Sequence, residues 1–423
     1  MTRAHRRLRR RLRRRARRRD ASGYAGFRCT WINEPIATVD GAVDPATFFR
    51  RFVATRTPCL LRRYCASADL GCVSRCATAA DPAAAWVEAV SRACGDAEVK
   101  VELRAAGDAS GRAFGLGRER RLAVSKFAAA AAEAARRGAP CPYYLTTQPL
   151  GEDAEGRPEI CGEPCASLVL AAGGPPLSPP LLPTLVVANA NLWMGGAPAG
   201  AAFDANSSGL HHDFHDNLLV LVCGRKRIRL WDPAATRAMR PSGGPPHRVH
   251  GNGRVVYASN PGVEADGRDA GADAALGRHA ALDALGDDDD DAAEGLLDAL
   301  LDDDRARDDF DDAWDDGGAD DGAGAPPENF STLRKARGSY PALAGRPRFR
   351  DVVLAPGDAL YMPCGFWHEV SSDGGVHAAF NYWLHPPDAA DFARPYASPF
   401  WTDDWARRER DDAFVRAALR RRR

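Results

Sequence analysis

The chain has 423 residues, 45% of them hydrophobic, and its 57 basic side chains balance its 57 acidic ones, so it can bury a sizeable core. The zero net charge hides segregation: arginine dominates residues 3–19 and closes the chain at Arg420, Arg421, Arg422 and Arg423, whereas acid concentrates between residues 264 and 321. No apolar run reaches membrane-spanning length and no apolar signal core stands at the N-terminus, which argues against a membrane span and a secretory leader.

Taken in order, residues 1–20 read as a basic arm, because blocks of like charge repel themselves and stay solvated. Residues 21–135 mix short apolar runs with Ala-rich stretches expected to be helical at 81–94 and 124–137. From 136 to 263 the pattern is one of strands and turns, with strands expected at 143–145, 184–188, 217–223 and 226–231, the last two parted by a turn at Gly224-Arg225. Residues 264–328 are Asp/Ala/Gly-rich and cannot bury enough apolar surface to offset their ordering entropy. Strand patterning resumes over 329–393, so the acidic zone reads as an insertion into a β domain; a basic tail of helical character, 394–423, ends the chain. The eleven cysteines, odd in number and without framework spacing, fit reduced thiols of a cytoplasmic or nuclear protein, although the Arg-rich start also suits an organelle transit peptide.

Chemistry concentrates in two stretches. Residues 210–233 read LHHDFHDNLLVLVCGRKRIRLWDP. Successive strand residues alternate faces, so His211 and Asp213 point one way and His212 another. An imidazole beside a carboxylate supplies two ligands of a 2-His-1-carboxylate metal triad, though the same spacing also arises as a surface hydrogen bond. In 226–231, Lys226 shares a face with Ile228 and Leu230, the inward one by its apolar character. An inward lysine either pairs with an anion, such as a ligand carboxylate, or snorkels to water from a strand end. Residues 355–370, APGDALYMPCGFWHEV, bring His368 out of a strand end beside aromatic bulk as a candidate third ligand. His215 competes with His211 and His377 with His368, while His247 and His250 sit in a Pro/Gly-rich loop.

These stretches resemble the JmjC-type cupin family, above all its small hydroxylase branch, which includes the asparaginyl hydroxylase acting on hypoxia-inducible factor. The family's ordered pattern falls on His211/Asp213, Asn217, Gly224/Lys226, Pro356-Gly357-Asp358, Pro363, Trp367-His368 and Asn381/Trp383. The likeness covers most of residues 31–401 outside the acidic zone. It implies a mainly β fold with flanking helices, a double-stranded β-helix or jelly-roll barrel whose mouth holds the metal. By the same resemblance His211, Asp213 and His368 bind Fe(II), and Lys226, helped by Ser208 and Tyr144, holds the distal carboxylate of the cosubstrate 2-oxoglutarate. Asn217 and Asn381 line the pocket. Thr146-Thr147 stand where relatives often carry glutamines, a departure that bears on substrate contacts.

The resemblance therefore implies an Fe(II)/2-oxoglutarate-dependent dioxygenase that consumes dioxygen, releases succinate and CO2, and hydroxylates a side chain of a protein substrate. The alternatives are a histone lysine demethylase or tRNA-modifying hydroxylase of the same fold, or an inactive cupin binding module. The arginine arm is compatible with nucleic-acid phosphates.

Overall fold

The computed structural model describes residues 35–103, 118–153, 156–197, 203, 207–269, 326–335, 340–343 and 350–421. The basic arm and residues 270–325 of the acidic zone lie outside them. Among the described residues the strands are β1 (Ala37–Asp40), β2 (Cys59–Arg62), β3 (Glu98–Leu103), β4 (Arg118–Ala123), β5 (Tyr143–Leu145), β6 (Val187–Ala197), β7 (Ser207–His212), β8 (Asp216–Trp231), β9 (Arg248–Val249), β10 (Val255–Val256), β11 (Arg350–Leu354), β12 (Ala359–Met362) and β13 (Trp367–Leu384). Eleven of them form one sheet, ordered β1-β2-β12-β8-β13-β6-β5-β3-β4, with β11 added to β8 and β7 to β13.

The antiparallel pair β8–β13 is the centre, and each member serves two neighbours along one edge. Residues 217–220 of β8 pair with β12 and residues 226–230 with β11. Residues 367–371 of β13 pair with β7 and residues 375–384 with β6. Strands from the first third of the chain extend both flanks. The result is the sheet-rich jelly-roll architecture with flanking helices.

Strand β8 is buried on both faces. Leu218, Val220 and Val222 join the core shared with the helices, while Leu219 and Leu221 face an inner cluster with Leu354, Leu360 and Phe366. Beyond Gly224 the parity changes, for Ile228 and Leu230 are the inner residues. Gly224 has φ +75°, and across it the register slips: Cys223 pairs with Ala378 but Arg225 with Asp373. This is a bulge inside one continuous 16-residue strand, not the turn expected at Gly224-Arg225. The extra residue restarts the two-residue period one step later, which turns Lys226 inward. A Cβ at position 224 would stand 2.5 Å from that of His377, so only glycine fits.

The helical layer follows its sequence signals. Asp81 caps helix Pro82–Cys94 by accepting from Ala84 N at 3.0 Å, and Trp86, Ala89 and Val90 are buried. Helix Val124–Arg136 buries Val124, Phe127, Ala128 and Ala131, the spacing of one helical face. No described helix is long and apolar enough to cross a membrane. The cysteines of the described residues are free thiols, and burial pushes those of Cys161 and Cys364 up to about 12.

The first residues of the acidic zone are built into the fold. Val263 bridges Asp269, and the fully buried Asp266 pairs with Arg268 at 3.2 Å and accepts through its carbonyl from Trp401 Nε1 at 3.1 Å. The expectation that residues from 264 onward cannot offset their ordering entropy therefore does not hold for 264–269.

Gly224→Ala forces a Cβ into the left-handed region against His377. Strain at such a position is of order 1–3 kcal/mol. Urea denaturation of this variant should show a loss of at least that size, whereas unchanged stability would mean that the bulge relaxes freely.

Candidate metal centre

Strand β7 lies against β13 with His211 opposite His368. Cross-strand partners share a face, so the two imidazoles meet, ring centroids 4.3 Å apart. Asp213 follows directly after the end of β7. Its carbonyl accepts from Gly365 N at 2.9 Å, tying it to the turn that leads into His368. Its carboxylate oxygens stand 3.7 Å from His368 Nε2 and 4.0 Å from His211 Nε2. Among the described residues these three are the one group of metal-ligating side chains, with ligand atoms all within 4.8 Å of one another.

Protonation suits the arrangement. His211 Nδ1 lies 3.1 Å from Gly209 O and His368 Nδ1 lies 2.9 Å from Phe366 O. With Nδ1–H donating to these carbonyls, both Nε2 lone pairs face the gap. Burial, reinforced by nearby His368, lowers His211 to about 4, so its imidazole is neutral at ordinary pH. Burial alone would raise Asp213; His368, His211 and the Asn217 amide outweigh it and hold the carboxyl below its ordinary value. Two imidazole nitrogens and one carboxylate form the donor set that suits non-haem Fe(II) with open positions. The residues fit the metal.

A chain of amides orients the carboxylate. Asn217 Nδ2 donates to Asp213 Oδ2 at 3.0 Å, Asn381 Nδ2 to Asn217 Oδ1 at 3.1 Å, and Trp193 Nε1 to Asn381 Oδ1 at 2.9 Å. Asn217 and Asn381 thus aim Asp213 as well as stand at the site. Nothing in the sequence singles out Trp193 beyond its place in a strand.

Lys226 is 1% exposed, which rules out snorkelling. Its Nζ donates to Ser372 Oγ at 2.9 Å and to the Tyr144 hydroxyl at 3.4 Å. Among the described residues no carboxylate lies within ion-pair distance of it. Tyr144 is held close by Gly195, where a Cβ would come within 2.6 Å of the phenol ring. Ser208 is placed differently from expectation. Its hydroxyl donates to Gly209 O at 3.1 Å and accepts from Val370 N at 3.0 Å, and the serine at Lys226 is Ser372 instead. Ser372 is the register partner of Lys226 on β13, a pairing that no local pattern announces.

The competing histidines have other surroundings. His212 is fully buried, 2.7 Å through Nε2 from the Tyr257 hydroxyl, and burial lowers it to about 3. His215 stacks on Trp383 at 5.8 Å, and burial with Arg254 nearby lowers it to about 3. His377 packs beside Tyr144, ring centroids 6.0 Å apart, and His250 Nε2 lies 3.0 Å from Val263 O. None of them joins the three-ligand group.

Comparison with known proteins adds the family. Over 433 aligned residues the chain is 28% identical to JmjC domain-containing protein 4 of Schizosaccharomyces pombe, covering 84% of this chain and 85% of that protein. A stretch of 64 residues, 36% identical, is similar to lysine-specific demethylase JMJ31 of Arabidopsis thaliana and covers 15% of this chain and 10% of that one. Residues 45–390 match the family described as a cupin-like domain. That match takes in both halves of the strand pair around which the three ligands gather, and with it the chain belongs to the cupin-like domain family.

Proposed function

We propose that the protein is an Fe(II)- and 2-oxoglutarate-dependent dioxygenase that hydroxylates a side chain of a protein substrate. The observation that carries this reading is Lys226, an interior lysine hydrogen-bonded to two hydroxyls, on the same face of the sheet as the His211/Asp213/His368 group. An interior ammonium needs a counter-anion, and a ligand carboxylate supplies one. Four residue steps along β13 lead from His368 to Ser372, roughly 13 Å of strand. The lysine stem covers part of that distance and a five-carbon dicarboxylate the remainder.

His211, Asp213 and His368 would hold Fe(II), which with 2-oxoglutarate and dioxygen supplies the oxidation: one oxygen atom enters succinate as CO2 leaves, the other enters the substrate C–H bond. The protein's own contribution is placement. The carbonyls of Gly209 and Phe366 fix the two imidazole tautomers, the Trp193–Asn381–Asn217 chain aims the carboxylate, and Lys226 with Tyr144 and Ser372 binds the far end of the cosubstrate.

Protein hydroxylation is favoured over demethylation on two grounds. The likeness that runs the length of the chain is to a protein named for its JmjC domain alone, whereas the likeness to a demethylase covers 15% of the chain. Among the described residues there is also no cysteine group able to hold zinc, such as often accompanies demethylases.

Replacing His211 or His368 with alanine should abolish 2-oxoglutarate turnover, measured as succinate release. Full activity in His368→Ala would discard the assignment. Lys226→Met should raise the apparent KM for 2-oxoglutarate by tens- to thousands-fold, the cost of removing one partner of a desolvated charge pair being roughly 2–5 kcal/mol. An unchanged KM would leave Lys226 without a role in cosubstrate binding.

The outcome of the reaction separates the alternatives. Mass spectrometry of candidate peptides and RNAs under labelled dioxygen should find a peptide product carrying one added oxygen atom. Formaldehyde released in step with succinate, with no oxygen kept in the product, would establish demethylation instead, and oxygen in RNA would establish a nucleic-acid substrate.

A further inference from the structure

Strand β7 pairs with β13 along one edge. An open second edge would leave backbone groups unpaired beside a metal ligand. The residues that follow the acidic zone cover it. Phe330 forms an antiparallel bridge with His211. His212 N donates to Asn329 O at 3.2 Å, Ser331 N to Leu210 O at 2.8 Å, and the Asn329 amide to His212 O at 2.6 Å. The Phe330 ring lies nearly parallel on the His211 imidazole, centroids 4.8 Å apart and planes 10° from parallel.

This segment is anchored a few residues later. Lys335 Nζ donates to Glu369 Oε1 at 2.7 Å, and their side chains are 4% and 1% exposed. The same carboxylate accepts from the Ser207 hydroxyl at 2.6 Å and from Arg229 at 3.3 Å. Glu369 directly follows the ligand His368, and Ser207 begins the strand that carries His211. The buried ion pair therefore ties the segment to both ligand-bearing strands.

We propose that Phe330 is a positioning residue for the metal ligand His211, and that the Lys335–Glu369 pair fixes the segment that presents it. His211 Nδ1 bonds Gly209 O at 3.1 Å, and tilt about such a bond is the softest motion of an imidazole held in this way. The flat Phe330 ring stacked at 4.8 Å opposes that tilt and helps to aim Nε2 at the metal position. The inference rests on the reading of His211, Asp213 and His368 as a metal centre.

The test is Mn(II) binding to the full-length chain, followed by electron paramagnetic resonance, together with the visible spectrum of the Co(II)-loaded protein. Wild type should bind Mn(II) and His211→Ala should lose it. Phe330→Ala should bind roughly 10- to 100-fold more weakly, the usual effect of losing an outer-shell partner, with an altered Co(II) spectrum. Phe330→Tyr should restore both, and Lys335→Met should weaken Mn(II) binding in the same direction. Phe330→Leu keeps apolar bulk without the flat ring and serves where the alanine variant does not fold. Wild-type affinity and spectrum in a folded Phe330→Ala or Phe330→Leu chain, with His211→Ala still deficient, would overturn the positioning role and leave the metal centre standing. A wild-type chain that binds no Mn(II) would overturn both.

Discussion

The pairing of β8 with β13, interrupted at Gly224 and Gly375, is the constraint on which the site depends. Along β8 the inner face passes from Leu219 and Leu221 to Lys226, Ile228 and Leu230. Along β13 it passes from His368 and Ser372 to Ala379 and Asn381. Each change of parity falls at a glycine with positive φ, +75° and +78°. Uninterrupted alternation would put Lys226 on the opposite face from Leu219 and Leu221. The irregularity thus lets one strand line the inner cluster at one end and present the lysine at the other.

Buried charge is handled in two contrasting ways. Asp216, fully buried, is matched by the Arg56 guanidinium and also accepts from the Tyr361 hydroxyl at 2.6 Å and from Cys364 N at 3.0 Å. Glu369 has Lys335, Arg229 and Ser207. Uncompensated interior charge is strongly destabilising, which explains such complete pairing. Lys226 differs, since its contacts are hydroxyls and a phenol ring. Asp216 and Glu369 have cations of the chain beside them, whereas on the reading proposed above the partner of Lys226 is an anion brought from outside. The lysine shares the inner face with a group of two imidazoles and one carboxylate suited to a cation. A dicarboxylate bound between a metal and Lys226 would satisfy both demands at once.

What could be read from the sequence was whatever obeys a local period. The alternation in 210–213 and 226–231 singles out His211, Asp213 and Lys226, and Ala-rich composition marks the two helices found at Pro82–Cys94 and Val124–Arg136. The bulge at Gly224 reads as a turn in the sequence because a glycine between two alternating runs has the same local signature in either case; only the partner strand tells them apart. Ser372 and Trp193 could not be found that way, since their roles come from cross-strand register over 146 and 188 residues. Phe330 and Lys335 follow an acidic low-complexity run that gives no hint of what the chain does on re-entering the fold. Their partners, His211 and Glu369, are set by three-dimensional return alone.

The most direct test of the account is a crystal structure grown anaerobically with Mn(II) and 2-oxoglutarate. One metal ion should sit on His211 Nε2, Asp213 and His368 Nε2, chelated by the keto acid, with the distal carboxylate on Lys226 Nζ and the Tyr144 hydroxyl. A metal bound elsewhere, or a 2-oxoglutarate whose far carboxylate does not reach Lys226, would contradict it.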